Sequence, residues 1–178
     1  MAKTSIYGLM AEFDSPEALV AAARGAFAAG FRKMDGYSPF PVDGLAEAIG
    51  FHRTRVPLIV LIGGIIGCLG GFFLQYWVSV IDYPINVGGR PLNSWPAFIP
   101  VTFEVTILIA ALSAFLGVLA LNGLPMPYHP VFNVDRFELA SRNRFFLCIE
   151  SADPKFDAVT TRKFLEGIGS QGVYEVER

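Results

Sequence analysis

The sequence predicts a membrane protein built as a two-helix hairpin inserted into a split α/β domain. Three observations carry this reading. Two apolar runs are each long enough to cross a bilayer, a short turn-rich loop joins them, and the flanks on either side each read β-α-β. The chain has 178 residues, 53% of them hydrophobic, and a mean hydropathy of +0.47. That is more apolar material than a soluble domain of this length needs for its core. A net charge of −2 and the lack of any Lys/Arg run exclude nucleic acid as a partner on electrostatic grounds.

The flank before the first run comprises residues 1–55. Its opening residues have no apolar h-region, so no signal peptide is expected and the N-terminus is placed in the cytoplasm. Residues 4–13 read as a strand through Ile6, Tyr7, Leu9, Met10 and Phe13. A helix start follows: Ser15 as N-cap, Pro16 in the first helical position and Glu17 in the first turn. Leu19, Ala23 and Phe27 then share one helical face, and Gly30 ends the helix. Residues 31–37 read as a second strand. Asp43 is the expected cap of a short helix ending at Gly50.

The first transmembrane helix is placed at 56–81, without a charge, and the second at 98–121, with Glu104 as its one acid. Each exceeds the roughly 20 residues that span a bilayer core of about 30 Å. The loop between them, 82–97, is rich in Pro, Gly and Asn. Tyr76, Trp77, Tyr83, Trp95 and Phe98 cluster at this end, as an interfacial aromatic belt does. Arg53 and Arg55 precede the first helix, Arg136, Arg142 and Arg144 follow the second, and the loop carries only Arg90. The positive-inside rule therefore puts both termini in the cytoplasm.

Residues 122–178 are read as a linker followed by the second half of the soluble domain. Residues 144–151 form a strand candidate (RFFLCIES), broken by Asp153-Pro154. Asp157 is the expected cap of a helix with Val159, Thr160, Phe164 and Ile168 inward. Residues 173–177 make a last strand. Two β-α-β halves compose a ferredoxin-like α/β sandwich. They can meet because an even number of crossings leaves both flanks on one side of the membrane.

Residue by residue, little chemistry is on offer. Cys68 and Cys148 are far apart and form neither a Cys-x-x-Cys pair nor a Cys/His cluster. Two cysteines also cannot hold an iron–sulfur cluster. His52 and His129 flank the apolar runs rather than facing each other within the bilayer, so hydrogen bonding at the interface is expected of them rather than haem ligation. No phosphate-binding loop, nucleophile elbow or metalloprotease motif occurs. Catalytic, cofactor-binding and metal-binding residues are accordingly expected to be none.

Packing features are more informative. Gly63, Gly67 and Gly71 recur every four residues on the first helix, and Ala110, Ala114 and Gly117 give the second a comparable stripe. Small residues at that spacing let helices approach closely. They serve packing within the hairpin or docking onto a larger membrane partner. Glu104 lies about two turns in from the outer end, near 9–10 Å of rise. A carboxyl at that depth faces protein or water, which makes it a partner contact or part of a proton route. Tyr37, Pro39, Phe40 and Pro41, with Pro127 after the second helix, form stiff extended arms suited to partner contact. Trp95 and Pro96 are candidates for the same role on the outer side.

Four segments carry a family resemblance: residues 35–42 (DGYSPFPV), 44–50 (GLAEAIG), 88–104 (GGRPLNSWPAFIPVTFE) and 153–157 (DPKFD). In this order the chain resembles the D-subunit family of bacterial alternative complex III, a quinol:electron-acceptor oxidoreductase, over nearly its whole length. The resemblance implies a two-helix accessory subunit of the bacterial inner membrane without a redox cofactor of its own. It implies partners holding haem c and iron–sulfur clusters: a multihaem cytochrome c, an iron–sulfur subunit and quinone-binding membrane subunits. The complex would oxidise menaquinol or ubiquinol and deliver electrons to a cytochrome c or directly to a terminal oxidase. Two other functions stand beside this one: a contribution to a proton route through Glu104, and a membrane-anchored domain that senses a ligand.

Overall fold

The computed structural model describes residues 6–178 of the chain. Two units divide it: one runs up to Arg53 and resumes at Pro127–Arg178, and the other is Thr54–Met126.

The first unit is built on a four-stranded sheet. Strand β1 (Ile6–Phe13) is followed by helix α1 (Pro16–Ala29), strand β2 (Met34–Tyr37) and a single helical turn, α2 (Leu45–Ala48). After the second unit come strand β3 (Phe145–Glu150), helix α5 (Ala158–Gly167) and strand β4 (Gly172–Glu177). The strand order is β2-β3-β1-β4 and every neighbouring pair is antiparallel. The two central strands thus come from opposite flanks of the sequence, with Phe13 opposite Phe145 and Leu9 opposite Ile149. Positions 4 and 5 of the expected first strand lie outside the described residues.

Local signals explain the first helix. Ser15 accepts a hydrogen bond from the Ala18 N–H at 3.2 Å, Pro16 begins the helix, and Gly30 ends it at φ +99°, a conformation that disfavours a Cβ. Leu19, Ala22, Ala23 and Ala26 are buried against the sheet, with Phe27 half-buried beside them.

Both faces of the sheet are covered, which the sequence reading did not anticipate. Leu9, Ala11, Phe13, Leu147 and Ile149 pack against α1 and α5. Met10, Phe146, Cys148 and Val176 point to the other face. There they meet two 3-10 helices, Pro130–Asn133 and Asp135–Ser141. This stretch was expected to be part of a linker. It is instead a second layer, fixed by Val131, Val134, Phe137 and Ala140. Those residues recur every third position, the period of a 3-10 helix, so the signal was present in the sequence at a spacing that α-helical templates miss. Burial on both sides also explains why β1 and β3 read as continuous apolar runs rather than alternating ones. A bulge between Ile6 and Gly8 breaks the alternation of β1, and Tyr7 joins the face of Met10.

Three local expectations need correction. The short helix α2 is capped by Gly44 at φ +79°, not by Asp43, and that left-handed position suits glycine. The second strand starts at Met34 rather than at position 31. In α5 Asp157 is the N-cap and Phe164 and Ile168 pack inward as expected, but Thr161 and Leu165 are the fully buried residues, while Val159 and Thr160 face outward. Which residue of the first turn points inward is decided by where the sheet lies, which the helix's own residues do not encode.

The second unit is a pair of long helices. Helix α3 (Val56–Tyr76) continues as a π-helical turn, Trp77–Asp82, and α4 spans Trp95–Leu121. Counted through the π turn, each is 27 residues long and holds an 18-residue stretch of mean hydropathy 2.3, long and apolar enough to cross a membrane. Helix α4 starts at Trp95, three residues before the expected position 98, because Pro96 is favourable in the first helical turn.

Candidate functional site

The chemistry-bearing residues fall into three groups: the seam between α3 and α4, the outer faces of those helices, and a polar network on the 3-10 side of the sheet.

The seam is built from glycine. Gly63, Gly67 and Gly71 are buried along α3. A Cβ at Gly67 would stand 2.8 Å from the Val105 carbonyl oxygen and 2.9 Å from Thr106 Cα, so α4 approaches α3 backbone to backbone. At Gly63 a Cβ would collide with the Ser113 side chain, and at Gly71 it would stand 3.1 Å from Val105 Cβ. Gly117 performs the same service for α4, receiving Ile59 at 3.1 Å. Ala110 lies at the margin, its Cβ 3.9 Å from a Cβ built on Gly64, and Ala114 is partly buried. The face that α4 offers to α3 is therefore Thr102, Val105, Thr106, Ile109 and Ser113.

Gln75 closes the end of this seam nearest the connecting loop, and sequence reasoning passed over it. Its amide nitrogen lies 2.9 Å from the Phe98 carbonyl, 3.1 Å from Thr102 Oγ1 and 3.2 Å from the Gly71 carbonyl. Phe98 itself is buried and packs edge-on against Phe72 at 5.8 Å. It belongs to the seam and not to the interfacial belt; Trp77, Tyr83 and Trp95 do present exposed rings.

Outside the seam, the large side chains face away from the chain. Leu61, Ile65, Ile66, Leu69 and Phe73 on α3 and Phe103, Leu108, Phe115 and Leu116 on α4 are all exposed. Glu104 is exposed among them, and no basic side chain pairs with it among the described residues. Trp95 and Pro96 form the exposed first turn of α4.

The arms behave differently from one another. Tyr37 ends β2 and packs edge-on against Phe137 at 5.0 Å, so it belongs to the core of its own unit. Ser38 Oγ donates to the Phe40 carbonyl at 2.7 Å, tightening the Pro39–Pro41 turn. Phe40 is half exposed and touches Phe145 at 5.5 Å; Pro41 is exposed. Between this turn and α1 runs an open groove of about 430 Å³, lined by Pro16, Glu17, Val20, Arg24, Phe40 and Pro41. Pro127 is exposed, with Tyr128 beside it.

His129 turns into the sheet unit and hydrogen-bonds there. Its Nδ1 accepts from the Val131 N–H at 3.4 Å, and its Nε2 lies 3.3 Å from the Tyr7 hydroxyl. Tyr7 in turn donates to Glu150 at 3.4 Å, and burial together with the Glu150 charge pushes its phenol up to about 12. His52 is exposed.

Glu12 anchors the 3-10 layer. It is buried near the end of β1 and receives a two-pronged hydrogen bond from Arg136, with Nε at 2.8 Å, a further bond from the Tyr174 hydroxyl at 3.0 Å, and the charge of Arg144 at 3.5 Å. The Arg136 hydrogen bonds hold the Glu12 carboxyl below the usual carboxylate range although burial works against it. The acid inside an apolar strand was visible in the sequence. Its partner, more than a hundred residues away, was not.

Asp153 does comparable work at the other end of the sheet. Burial opposes its charge, but backbone N–H groups of Arg32, Lys33 and Lys155 at 2.6, 2.8 and 2.8 Å outweigh this and keep the carboxyl depressed. The 153–157 motif is thus a clamp joining the loop before β2 to the loop after β3. Cys148 is buried, and burial plus the Asp35 and Glu150 charges push its thiol up to about 12; Cys68 is exposed on α3. Among the described residues no group of His, Cys, Asp and Glu has the arrangement of a metal site.

Compared with known protein families, the chain matches the family described as "Alternative complex III, ActD subunit" over residues 7–175. No curated protein matches it.

Proposed function

The chain belongs to the ActD subunit family of alternative complex III, an oxidoreductase complex, and we propose that within it the chain is an accessory, non-catalytic subunit that supports assembly and stability. The observation that carries this is the contrast within the helix pair. The seam is filled by glycine contacts and the Gln75 amide, while nearly every large apolar side chain faces outward. Such a hairpin is finished only when lipid and other subunits cover it.

The remaining assignments follow from this reading. The strand order β2-β3-β1-β4, with one helix between β1 and β2 and another between β3 and β4, supports a split ferredoxin-like domain. Its strands come from both flanks, which requires both on one side of the membrane, and the arginines beside the helices favour the cytoplasmic side of the inner membrane. The redox groups, haem c and iron–sulfur clusters, reside in the partner subunits: a multihaem cytochrome c, an iron–sulfur subunit and quinone-binding membrane subunits. The whole complex oxidises quinol.

The test is a mild-detergent purification through a tag on this chain, resolved on a native gel and stained for haem, beside membranes from a strain lacking the chain. The expected result is a large haem-positive band that contains the chain and whose yield falls severalfold without it. Turnover per intact complex should be unchanged. A full yield of complex with depressed turnover would instead favour the proton route, and a chain running without haem-bearing partners would favour the ligand-sensing domain.

A further inference from the structure

We propose that the face of α4 opposite α3, centred on Glu104, seats a transmembrane helix of another subunit, and that this helix brings a hydrogen-bond donor to the Glu104 carboxyl. The inference rests on the reading as a subunit of a membrane complex and adds which face is covered and by what chemistry.

The face is fixed by the seam. At about 100° per residue, Thr102, Val105, Thr106, Ile109 and Ser113 form one narrow stripe, the one that meets the α3 glycines. Glu104 lies two residues from Thr102, about 200° around the helix. Pro100, Leu108 and Ala111 share its side, and all four are exposed. Helix α3 therefore cannot reach Glu104 without dismantling the seam.

Nor can the rest of the pair supply a partner. Neither α3 nor α4 contains Lys, Arg or His. Arg90 sits in the loop among Val78, Ser79, Tyr83 and Pro91. Glu104 is nine residues into α4, roughly 13 Å of rise from Trp95. A carboxyl at that depth with hydrocarbon around it is strongly disfavoured, and such acids face protein or water.

A second group on the helix asks for the same chemistry. Pro100 has no N–H, so the Pro96 carbonyl one turn earlier loses its usual intrahelical donor. The carboxyl accepts hydrogen bonds in either protonation state and the carbonyl only accepts, so a donor on the partner serves both. Around the carboxyl, Val101, Ile107 and Leu108 offer exposed apolar contact, and Ala97 and Ala111, two turns away on either side, leave room for a helix to come close there.

The experiment uses the full chain in its native membrane. A photo-crosslinking residue replaces Leu108, and the haem-staining complex is purified through the tag. The expected product is an adduct between this chain and a membrane subunit of the complex. Separately, Glu104→Leu should lower retention of that subunit about tenfold at matched detergent, the effect of one interhelical hydrogen bond. If Glu104→Gln keeps retention within about twofold, the donor is neutral; if it falls as far as Glu104→Leu, the donor is a cation. Either supports the proposal. Adducts with lipid alone overturn it, and so does unchanged retention in Glu104→Leu. The crosslink stands in the unmutated Glu104 background, so a poorly folding variant does not leave the question open. If the chain is missing from the haem-staining band altogether, the assignment to the complex fails first, and this inference with it.

Discussion

The two units solve opposite problems with the same apolar side chains. In the sheet unit Leu9, Phe13, Phe146 and Ile149 are sealed between layers, and both faces of the sheet are covered. In the helix pair the buried positions are glycines and Phe98, and nearly all the other large residues face outward. One unit completes its own core. The other completes only a seam and leaves its bulk to the surroundings. Length and hydropathy mark the helix pair; the placement of small and large residues shows how each unit is filled.

That contrast can be broken most severely at Phe146, which is fully buried and touches Phe137 at 5.7 Å. Phe146→Ala is expected to cost the sheet unit about 3–5 kcal/mol, read as a lowered denaturation midpoint of the purified chain in detergent. The matching truncation Ile66→Ala, on the outward face of α3, should change the chain's own stability by less than about 0.5 kcal/mol. The next largest effect belongs to the seam. Gly67→Val drives a side chain into the α4 backbone and should cost about 1–3 kcal/mol, seen as separation of the helices by disulfide crosslinking between engineered cysteines. Gly70→Ala, with open space at its Cβ, should leave that crosslink intact.

Arg136→Ala should lower the same denaturation midpoint by less, because Arg136 is half exposed while Glu12 is left buried with fewer donors. The same network sets an acid response. Glu12 and Asp153 have folded pKa values below their unfolded ones, so their stabilisation is complete above about pH 4.5. It is lost as pH falls through the depressed folded values. Asp35, which burial shifts the other way, partly offsets this. Glu12→Gln should flatten the fall in an acid titration followed by circular dichroism. The smallest effect is chemical: Cys148 should stay unlabelled by a thiol reagent in the folded chain and react on unfolding, since burial hides it and suppresses its thiolate.

How much of this was legible depends on the range of the interaction. Helix α1 could be read to the residue because Ser15, Pro16 and Gly30 act on neighbours three or four positions away. The apolar helices were equally plain, since length and composition suffice. The layer from Val131 to Ala140 was missed because its three-residue period was not weighed. The inward face of α5 was right at Phe164 and Ile168 and wrong in its first turn, where the sheet takes Thr161 rather than Val159 and Thr160. The Glu104 acid was conspicuous by sequence, but the direction it faces depends on which α4 residues the glycines engage. Gln75 and Arg136 act across 23 and 124 positions, and nothing local to either announces its partner.

The pairing of Phe13 with Phe145 also has a bearing on biosynthesis. Strand β1 leaves the ribosome early and then waits for more than a hundred further residues, on the order of ten seconds at typical elongation rates, before β3 exists. The whole hairpin must be threaded in that interval. A chain that inserts one helix and skips the other strands its two halves in different compartments, where the sheet cannot close and β1 remains an open, sticky edge for proteases and chaperones. The sheet can therefore close only where both flanks lie on one side of any membrane that the two helices cross.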